Sequence, residues 1–519
     1  MRRPKGRSAQ TITVTAPIGG WNATSSLAQM APSEAVIMDN WFCLPTELQS
    51  RKGYTSWCTG LTGSIKSFLT YDSQTGSHQF FAVSGSGTSY SIYNVSSSGT
   101  VGAAVVTGLT DGNWKHQLMA TSGGSFCMTV NGVDNARLYD GTTWYSLTQT
   151  SSPYKLQGVD TYKLINVRLH KRRLWFVERD SLKCWYTDTD SVSGTLHSYD
   201  FGPLFAKGGK ISNIDTWSLD AGTGMDDYFV VITTSGEIAV YTGTDPADPT
   251  NWELKGVYYV GSPVGTQNTQ KYGGDVLLLN KDGLIPLSQC LMSSRVNTRQ
   301  AITNKIQQKI TEVTSLYENN YGWQVVLYPP ANMLFVNVPV STTEFQQYVM
   351  NTITGAWSRF TGVNATCWIF INEQLYFGNG SAVYKFWDGQ SDNGTNIVTD
   401  LLPAFSAFGS QSQVKRFTMH RVSMGYDTAF AYNSEMALDF NQTASPTMPY
   451  SVPSTAAALW DTADWDAAVW YSGEIMPYAQ WKMSMGMAHY GSVRVKTSSK
   501  TSDTRFYSID LVMEAGGIL

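Results

Sequence analysis

Short hydrophobic runs broken by glycine-containing turns are the feature of this 519-residue chain that most restricts its fold. After about residue 60, runs rich in β-branched and aromatic residues, such as Arg173–Val177 and Met333–Val338, end near Gly, Asn, Asp or Pro. Asn-Gly or Asp-Gly pairs supply the positive φ that tight hairpins need, and they occur at 111–112, 131–132, 140–141, 282–283, 379–380, 388–389 and 393–394. This pattern predicts an all-β chain built from antiparallel strands.

A turn residue, a tryptophan and a strand recur together along the chain. The tryptophans of these units are Trp114, Trp144, Trp252, Trp357 and Trp387. Their spacing is irregular, so the units are not a clean tandem array. They resemble the blades of a β-propeller, in which an aromatic residue after a hairpin turn packs between adjacent sheets. A sandwich with the same number of strands stays open as an alternative.

One segment, from about 299 to 316, has the pattern of a helix. Its apolar residues Ile302, Ile306, Ile310 and Val313 follow one another at intervals of four, four and three, with Lys and Gln between them. This spacing places a single apolar stripe on one helix face. It predicts one short helix packed on the side of a β-domain rather than a coiled coil.

Aromatic and basic residues near the two ends of the chain are candidates for contacts. Trp460, Trp465 and Trp470 recur every five residues among aspartates, which is neither a helical nor a strand period. We expect them in an ordered loop that contacts a second subunit or an adaptor, with a tryptophan cluster inside the domain as the alternative. Arg2, Arg3, Lys5 and Arg7 form a basic arm that contacts a partner or is simply solvated. No apolar stretch of signal-peptide or membrane-spanning length follows it, so we expect neither element.

Composition excludes some classes of protein. Charged residues are only 15% of the chain against about 25% in an average soluble domain, and aromatic residues are 13%. Such a chain can build a large core, which excludes intrinsic disorder. The formal charge of −4 argues against a dedicated nucleic-acid binder with a basic face. The six scattered cysteines fit neither a zinc site nor a disulfide framework and are expected to be buried and reduced.

A search for catalytic and metal-binding patterns yields no candidate residue. The six histidines include no pair at metal-ligand spacing, and no nucleophile elbow, phosphate-binding loop or dinucleotide fingerprint is present. The pairs that most resemble catalytic acids are Asp188 with Asp190 and Asp226 with Asp227. Glycosidases need two carboxylates, but we interpret these pairs as turn residues or a cation site rather than as catalytic groups. We therefore expect no enzymatic activity, no cofactor and no metal site of ligand-spaced histidines or cysteines, and a cation bound by these aspartates stays open.

Several stretches together resemble the tail nozzle, or tail hub, proteins of short-tailed bacteriophages. The N-terminal ones are Ala16-Pro-Ile-Gly-Gly-Trp-Asn22, Met30–Val36, Asp39-Asn-Trp-Phe42 and Arg51-Lys-Gly-Tyr54. The central ones are Tyr241–Asp248, Trp252–Val257, Gly261–Pro263, Gly273–Asp275, Asp282–Leu287, Met350–Trp357, Phe360–Gly362, Phe377–Gly380, Val383-Tyr384, Asp388-Gly389 and Ser391–Thr395. The resemblance thins after about residue 400.

The resemblance implies a fold and an assembly. It implies a β-propeller, which we expect to have six blades, with an additional β-rich platform domain. The predicted division is an N-terminal arm with the start of the platform in 1–60, the propeller in 61–400, and a C-terminal platform or docking domain in 401–519. The implied assembly is a homohexameric ring in the virion tail, put together in the host cytoplasm. Its implied partners are portal and adaptor proteins above, and tail fibre or needle proteins beside or below.

The implied function is that of a conduit and gate, which retains double-stranded DNA and then lets it pass without sequence recognition. The low charge fits this role, because many Lys and Arg contacts would hold the phosphate backbone. Low charge with many aromatic residues also suits extensive contacts between subunits. A carbohydrate-binding or glycan-hydrolysing propeller that acts at a cell surface is the alternative from another functional class.

Overall fold

The computed structural model describes residues 9–74, 76–220, 225–291, 301–428, 430–443, 450–451 and 476–518. Six strands lie in the first 60 residues: β1 (Gln10–Thr15), β2 (Gly20–Trp21), β3 (Glu34–Asp39), β4 (Trp41–Cys43), β5 (Leu48–Ser50) and β6 (Tyr54–Thr59).

Antiparallel sheets then follow one another in chain order. The first contains β7 (Ser64–Asp72), β8 (His78–Ser86), β9 (Ser89–Asn94) and β11 (Val106–Leu109). The short β10 (Gly99–Thr100) precedes β11 in the chain but belongs to another sheet. The second contains β12 (Lys115–Thr121), β13 (Gly124–Val130), β14 (Arg137–Tyr139) and β15 (Trp144–Ser146). After the short β16 (Leu156–Gln157), the third contains β17 (Leu164–His170), β18 (Arg173–Glu178), β19 (Lys183–Tyr186) and, beyond β20 (Gly194–Thr195), β21 (His197–Asp200). The strands β16 and β20 pair with each other in parallel.

Four more sheets complete this series. The fourth contains β22 (Ile211–Asp220), β23 (Met225–Thr233), β24 (Glu237–Gly243) and β25 (Trp252–Tyr259). The fifth has β26 (Thr269–Tyr272), β27 (Asp275–Asn280) and β28 (Gly283–Pro286), followed by the helices α1 (Leu287–Leu291) and α2 (Gln307–Tyr317). The sixth contains β29 (Gln324–Tyr328), β30 (Met333–Pro339), β31 (Phe345–Asn351) and β32 (Trp357–Phe360). The seventh contains β33 (Cys367–Ile371), β34 (Gln374–Asn379) and β35 (Ala382–Phe386).

These sheets are the blades of a closed β-propeller. Neighbouring first strands contact each other all round, from β7 through β12, β17, β22, β26, β29 and β33 back to β7. The N-terminal strand β6 pairs antiparallel with β35 and so completes the seventh blade, with Phe386 opposite Tyr54. The all-β class and the propeller are confirmed, and the described ranges contain seven blades where we expected six. The tryptophan turns undercount the blades, because two of them flank the second blade, and the first, third and fifth blades carry none of their own.

The tryptophans of the predicted turn units pack between sheets as expected. Trp114 is buried in a cluster that joins the first two blades, where Trp144 stacks on Tyr139. Trp252 lies between the third and fourth blades and stacks on Trp175 and Tyr241 with centroid distances of 5.5 and 5.2 Å. Burial of these large rings stabilises contacts between blades whose described strands do not pair with each other.

The helix packs on the propeller side through the predicted stripe. Ile306, Ile310 and Val313 are buried in the core cluster that includes Leu277 of the fifth blade and Leu334 of the sixth. The helix begins at Gln307, whereas the pattern suggested 299, because Asn304–Ile306 form a 3-10 turn that leads into it.

The remaining strands build a platform beside the propeller. They are β36 (Ile397–Pro403), β37 (Gln413–Tyr426), β38 (Ala431–Leu438), β39 (Tyr450–Ser451), β40 (Met476–Ala488), β41 (Gly491–Ser499) and β42 (Thr504–Ile518). One platform sheet has the order β4-β5-β42-β37-β40, with β1 also paired to β42. The other has the order β3-β36-β41-β38-β39 and continues into the sixth blade, where β3 pairs with β32.

The two platform sheets share one core. Phe417, Val422 and Ile509 of the first sheet are buried in the same cluster as Val493 and Val495 of the second. Each sheet combines strands from the N-terminal and the C-terminal parts of the chain, so the platform is not a continuous segment. The boundaries at residues 60 and 400 stay predictions about independent units.

A buried arginine ties the platform to the propeller. The Arg51 side chain donates two hydrogen bonds to the Asp392 carboxylate, at 2.7 and 2.5 Å, and one to Asn40 Oδ1 at 2.8 Å. It also donates to the carbonyl oxygens of Lys52 and Thr361. Asn40, Arg51, Thr361 and Asp392 all belong to stretches of the phage resemblance, and the fold brings these stretches together at a structural joint.

Close backbone approach at this joint requires glycine. A Cβ atom on Gly53 would lie 1.8 Å from the Ser391 carbonyl oxygen, so no other residue fits there without a backbone shift. Away from the joint, Cys43, Cys58, Cys127, Cys184 and Cys367 are free and buried, as the sequence indicated; the thiol of Cys290 lies outside the described side chains.

Candidate functional site

The contact residues proposed from the sequence lie outside the part of the chain that the structure describes. This holds for Trp460, Trp465 and Trp470, and for the basic arm of Arg2, Arg3, Lys5 and Arg7. Their roles stay predictions. The described residues instead present a different candidate surface, on the platform.

Three methionines of β40 point to solvent from one face of the first platform sheet. Met483, Met485 and Met487 are 77%, 83% and 71% exposed. On the neighbouring strand β37, Met419 lies opposite Met483 in the ladder and is 39% exposed. We name Met419, Trp481, Met483, Met485 and Met487 the methionine face.

The alternation along β40 is the reverse of that in an ordinary one-sided sheet. Lys482 and Ser484 point inward and are buried, while the methionines between and beside them point outward. Antiparallel sheets with one solvated face normally place apolar residues inside and polar residues outside. Contiguous exposed apolar side chains on a soluble protein mark a surface that another molecule covers.

A polar cluster under the methionine face explains why Lys482 and Ser484 point inward. His420 Nδ1 lies 2.6 Å from Ser484 Oγ, and His420 Nε2 lies 2.8 Å from Ser434 Oγ on the opposite sheet. Lys482 Nζ donates to the same Ser434 hydroxyl at 3.2 Å. The cluster therefore links β37 and β40 to β38 and fixes which side of β40 faces solvent.

Burial changes the protonation of this cluster. Burial lowers the pKa of Lys482 to about 7. Burial, together with the positive charge of Lys482, lowers the pKa of His420 to about 4. At neutral pH the imidazole is therefore uncharged, which suits its hydrogen bonds to two hydroxyl groups.

A polar row borders the methionine face on one side. Arg421 donates to Asp510 Oδ2 from Nε at 2.8 Å and from Nη2 at 2.6 Å, and Thr13 Oγ1 donates to Asp510 Oδ1 at 2.6 Å. The Arg421 guanidinium also lies 4.8 Å from the centroid of the Trp481 ring. These contacts hold the Trp481 ring beside the methionines. Arg416 is exposed opposite Met487 and adds a cation to the rim.

The strand that carries the methionines lies at the edge of its sheet. In the described ranges β37 is the only strand that pairs with β40, so the other side of this 13-residue strand has no ladder partner there. Such an edge can accept a strand from a second chain. Methionine thioethers are flexible and polarisable and adapt to a partner surface. These properties make the methionine face a candidate binding surface.

The carboxylates weighed for catalysis lie in separate hairpins. Asp227 accepts a hydrogen bond from Ser218 Oγ at 2.6 Å and pairs with Lys171 at 2.9 Å. Asp190 pairs with Arg172, and Asp188 lies 3.1 Å from His197 Nε2. The side chain of Asp226 lies outside the described ones. Among the residues that the structure describes, no cluster of three or more His, Cys, Asp and Glu is placed to hold a metal ion.

Sequence reasoning missed the methionine face, although a signal was present. Met483-Ser-Met-Gly-Met487 alternates apolar and small residues as a half-buried strand does. The pattern alone does not say which set faces the core, and the usual rule would have buried the methionines.

Comparison with known proteins gives no relative in sequence: no family model matches the chain, and no curated protein matches it. Among solved structures, the β-propeller domain of Cps50 (Swd1) from Myceliophteria thermophila is 11% identical, with 66% of this chain and 99% of that chain covered and a TM-score of 0.38. A glycoside hydrolase family 43 arabinoxylan arabinofuranohydrolase from Bacillus subtilis, in complex with cellotetraose, is 9% identical, with 96% and 99% covered and a TM-score of 0.25. Similarities this low carry no inference about activity or ligands.

None of the helices in the described ranges is both long enough and apolar enough to cross a membrane.

Proposed function

We propose that this chain is a structural virion protein, the subunit of a homohexameric tail nozzle of a short-tailed bacteriophage. The ring would retain the packaged genome and then serve as the conduit for its ejection. The observation that carries the proposal is the methionine face on the edge strand of the platform. It is a surface built for contact with another protein chain.

Burial free energy supports a covered methionine face. Full burial of one methionine side chain contributes roughly 1.5–3 kcal/mol relative to exposure, and Met483, Met485 and Met487 are each more than two-thirds exposed. We propose that a second copy of this chain covers them. A ring uses two different surfaces of each subunit, so the methionine face meets another patch of the next copy.

The overall charge supports the conduit role. Charged residues make up only 15% of the chain, which favours large contacts between copies over a hydrated surface. A net charge of −4 per chain gives the ring no strong hold on a DNA phosphate backbone, so DNA can slide through it. Portal and adaptor proteins above, and fibre or needle proteins beside or below, remain part of the proposal.

Negative-stain electron microscopy of the purified full chain tests this function. We expect ring-shaped particles with six-fold symmetry, which bind a purified portal–adaptor complex end-on. A preparation of single copies at micromolar concentration would contradict the proposal. So would specific binding or hydrolysis on a glycan array, which is the result that the carbohydrate alternative requires.

A further inference from the structure

The propeller has a central channel whose wall is formed by the first strands of the blades. A cavity of about 290 Å³ in this channel is lined by residues of β12, β17, β26, β29 and β33 and by Phe68 of β7. A second cavity of about 360 Å³ lies on the side of β22 and shares Arg168, Thr269 and Gln270 with the first. Both cavities therefore belong to one channel, and Arg168 lies where they meet.

Basic side chains converge on this channel. Lys115 and His116 of β12 and Arg168 of β17 line the first cavity, and Lys271 of β26 lines the second. Lys115 is buried and donates one hydrogen bond, to Thr266 Oγ1 at 3.1 Å. Burial, and next the positive charge of Arg168, lower the pKa of Lys115 to about 7. Lys115 and Arg168 are therefore close enough for their positive charges to repel each other, whereas burial lowers the pKa of His116 to about 4 and leaves its imidazole uncharged at neutral pH.

Within the described ranges, no carboxylate lines the first cavity, and Asp215 is the only one that lines the second. Arg168 forms no hydrogen bond or ion pair with any of the residues that the structure describes. Asp215, on the wall of the second cavity, accepts hydrogen bonds from Thr269 Oγ1 at 2.7 Å and from the Thr216 backbone N–H at 2.9 Å. Asp72 is engaged with His78 at 2.7 Å. An unpaired guanidinium beside a buried lysine is costly unless an anion joins them.

The polar part of the wall around the cations is firmly held, while the rest of the first cavity is lined by apolar and aromatic side chains. Gln267, Gln270 and Gln324 line the first cavity, and Gln324 is fixed by two hydrogen bonds to the Trp368 backbone. A chain of amides, Asn166 to Asn213 to Asn268, links the first strands of the third and fourth blades to the segment before the fifth. Donors on rigid strands are pre-organised for a ligand.

We propose that the propeller channel binds a phosphate group, as inorganic phosphate or a phosphate monoester, between Lys115 and Arg168. A guanidinium presents a planar fork to phosphate oxygens, and a lysine adds a point charge. The volume is sufficient, because a cavity of about 150 Å³ already admits a benzene ring. The site is separate from the methionine face and does not depend on assembly.

Equilibrium binding to the full-length protein tests this site. Radiolabelled inorganic phosphate is titrated at constant ionic strength, with glycerol 3-phosphate as a competitor that represents the monoesters. We expect saturable binding of one phosphate per chain. Stronger competition by glycerol 3-phosphate than by unlabelled phosphate would identify a monoester as the preferred ligand, and weaker competition would identify inorganic phosphate.

Matched arginine variants assign the binding to the channel. Arg168→Gln should weaken it at least about tenfold, the loss of a charge-assisted bidentate contact. Arg172→Gln, which removes an exposed arginine at the hairpin between β17 and β18, should leave it unchanged. Absence of saturable binding to the wild-type chain overturns the proposal whether or not a variant folds, as does equal affinity in a folded Arg168→Gln variant.

Discussion

At the scale of single residues, Arg51 holds the joint between the propeller and the platform. It is fully buried, and besides the adjacent Lys52 its partners Asn40, Thr361 and Asp392 come from three separate parts of the chain. A buried ion pair adds little net stability, but removal of one member leaves a charge without compensation. The Asp392 carboxylate would be that charge.

Replacement of Arg51 tests the joint. Arg51→Met should lower the free energy of unfolding by about 3–5 kcal/mol, since Asp392 loses its partner in a buried site. Arg172→Met is the control, because Arg172 pairs with Asp190 on the surface and such a pair contributes about 1 kcal/mol or less. Chemical denaturation at pH 7 measures both. Equal losses for the two variants would contradict the role of Arg51.

Protonation of His420 makes the platform sensitive to acid. Its pKa is about 4 in the folded chain and about 6.5 when unfolded. Between these values the unfolded chain binds the additional proton, so the free energy of unfolding falls as the pH drops from about 6.5 to 4. The loss is at most about 1.4 kcal/mol per pH unit for this group, and buried His170 acts in the same direction.

Denaturation at a series of pH values checks this expectation. His420→Gln should flatten the dependence between pH 6.5 and 4 and leave the dependence between pH 7 and 8 as it is in the wild type. An unchanged slope below pH 6.5 would show that the folded platform does not lower the pKa of His420.

At the scale of elements, helix α2 shows what periodicity can and cannot predict. The stripe of Ile306, Ile310 and Val313 could be predicted from the sequence, because residues on one face of a helix recur every three to four positions. The first residue of the helix could not be predicted, since no side-chain hydrogen bond caps the helix N-terminus at Gln307 and a 3-10 turn precedes it. Among the turns, six of the seven Asn-Gly and Asp-Gly pairs have glycine at positive φ, but only some of them close hairpins within a blade.

Two alanine substitutions in α2 test its packing. Ile310→Ala should cost about 2–5 kcal/mol of unfolding free energy, because it leaves a cavity between the helix and two blades. Leu316→Ala removes a side chain that is 64% exposed and should change stability by no more than about 0.5 kcal/mol. Denaturation curves that show similar losses for both would mean that the stripe does not face the core.

At the scale of the whole molecule, composition and turn chemistry predict the fold class but not the number of blades. A blade needs only three or four short strands, and the fifth has no tryptophan turn to mark it. The closure of the propeller by β6 could not be predicted from the sequence either, since it pairs residues that lie more than 300 positions apart. The candidate site was missed for a similar reason: the inward orientation of Lys482 depends on Ser434, a contact across two sheets.

The methionine face carries the central claim, and native mass spectrometry of one substitution pair tests it most directly. For the wild-type chain we expect a species of six times 57.2 kDa. Met485→Lys should give single copies with an unchanged circular dichroism spectrum, because a charge replaces an apolar contact at the centre of the face. The control Ile353→Lys alters another apolar residue that is largely exposed, at 67%, but lies outside the platform, and it should leave the six-copy species intact. A wild-type chain that stays single, or a Met485→Lys variant that still forms six-copy rings, would contradict the account.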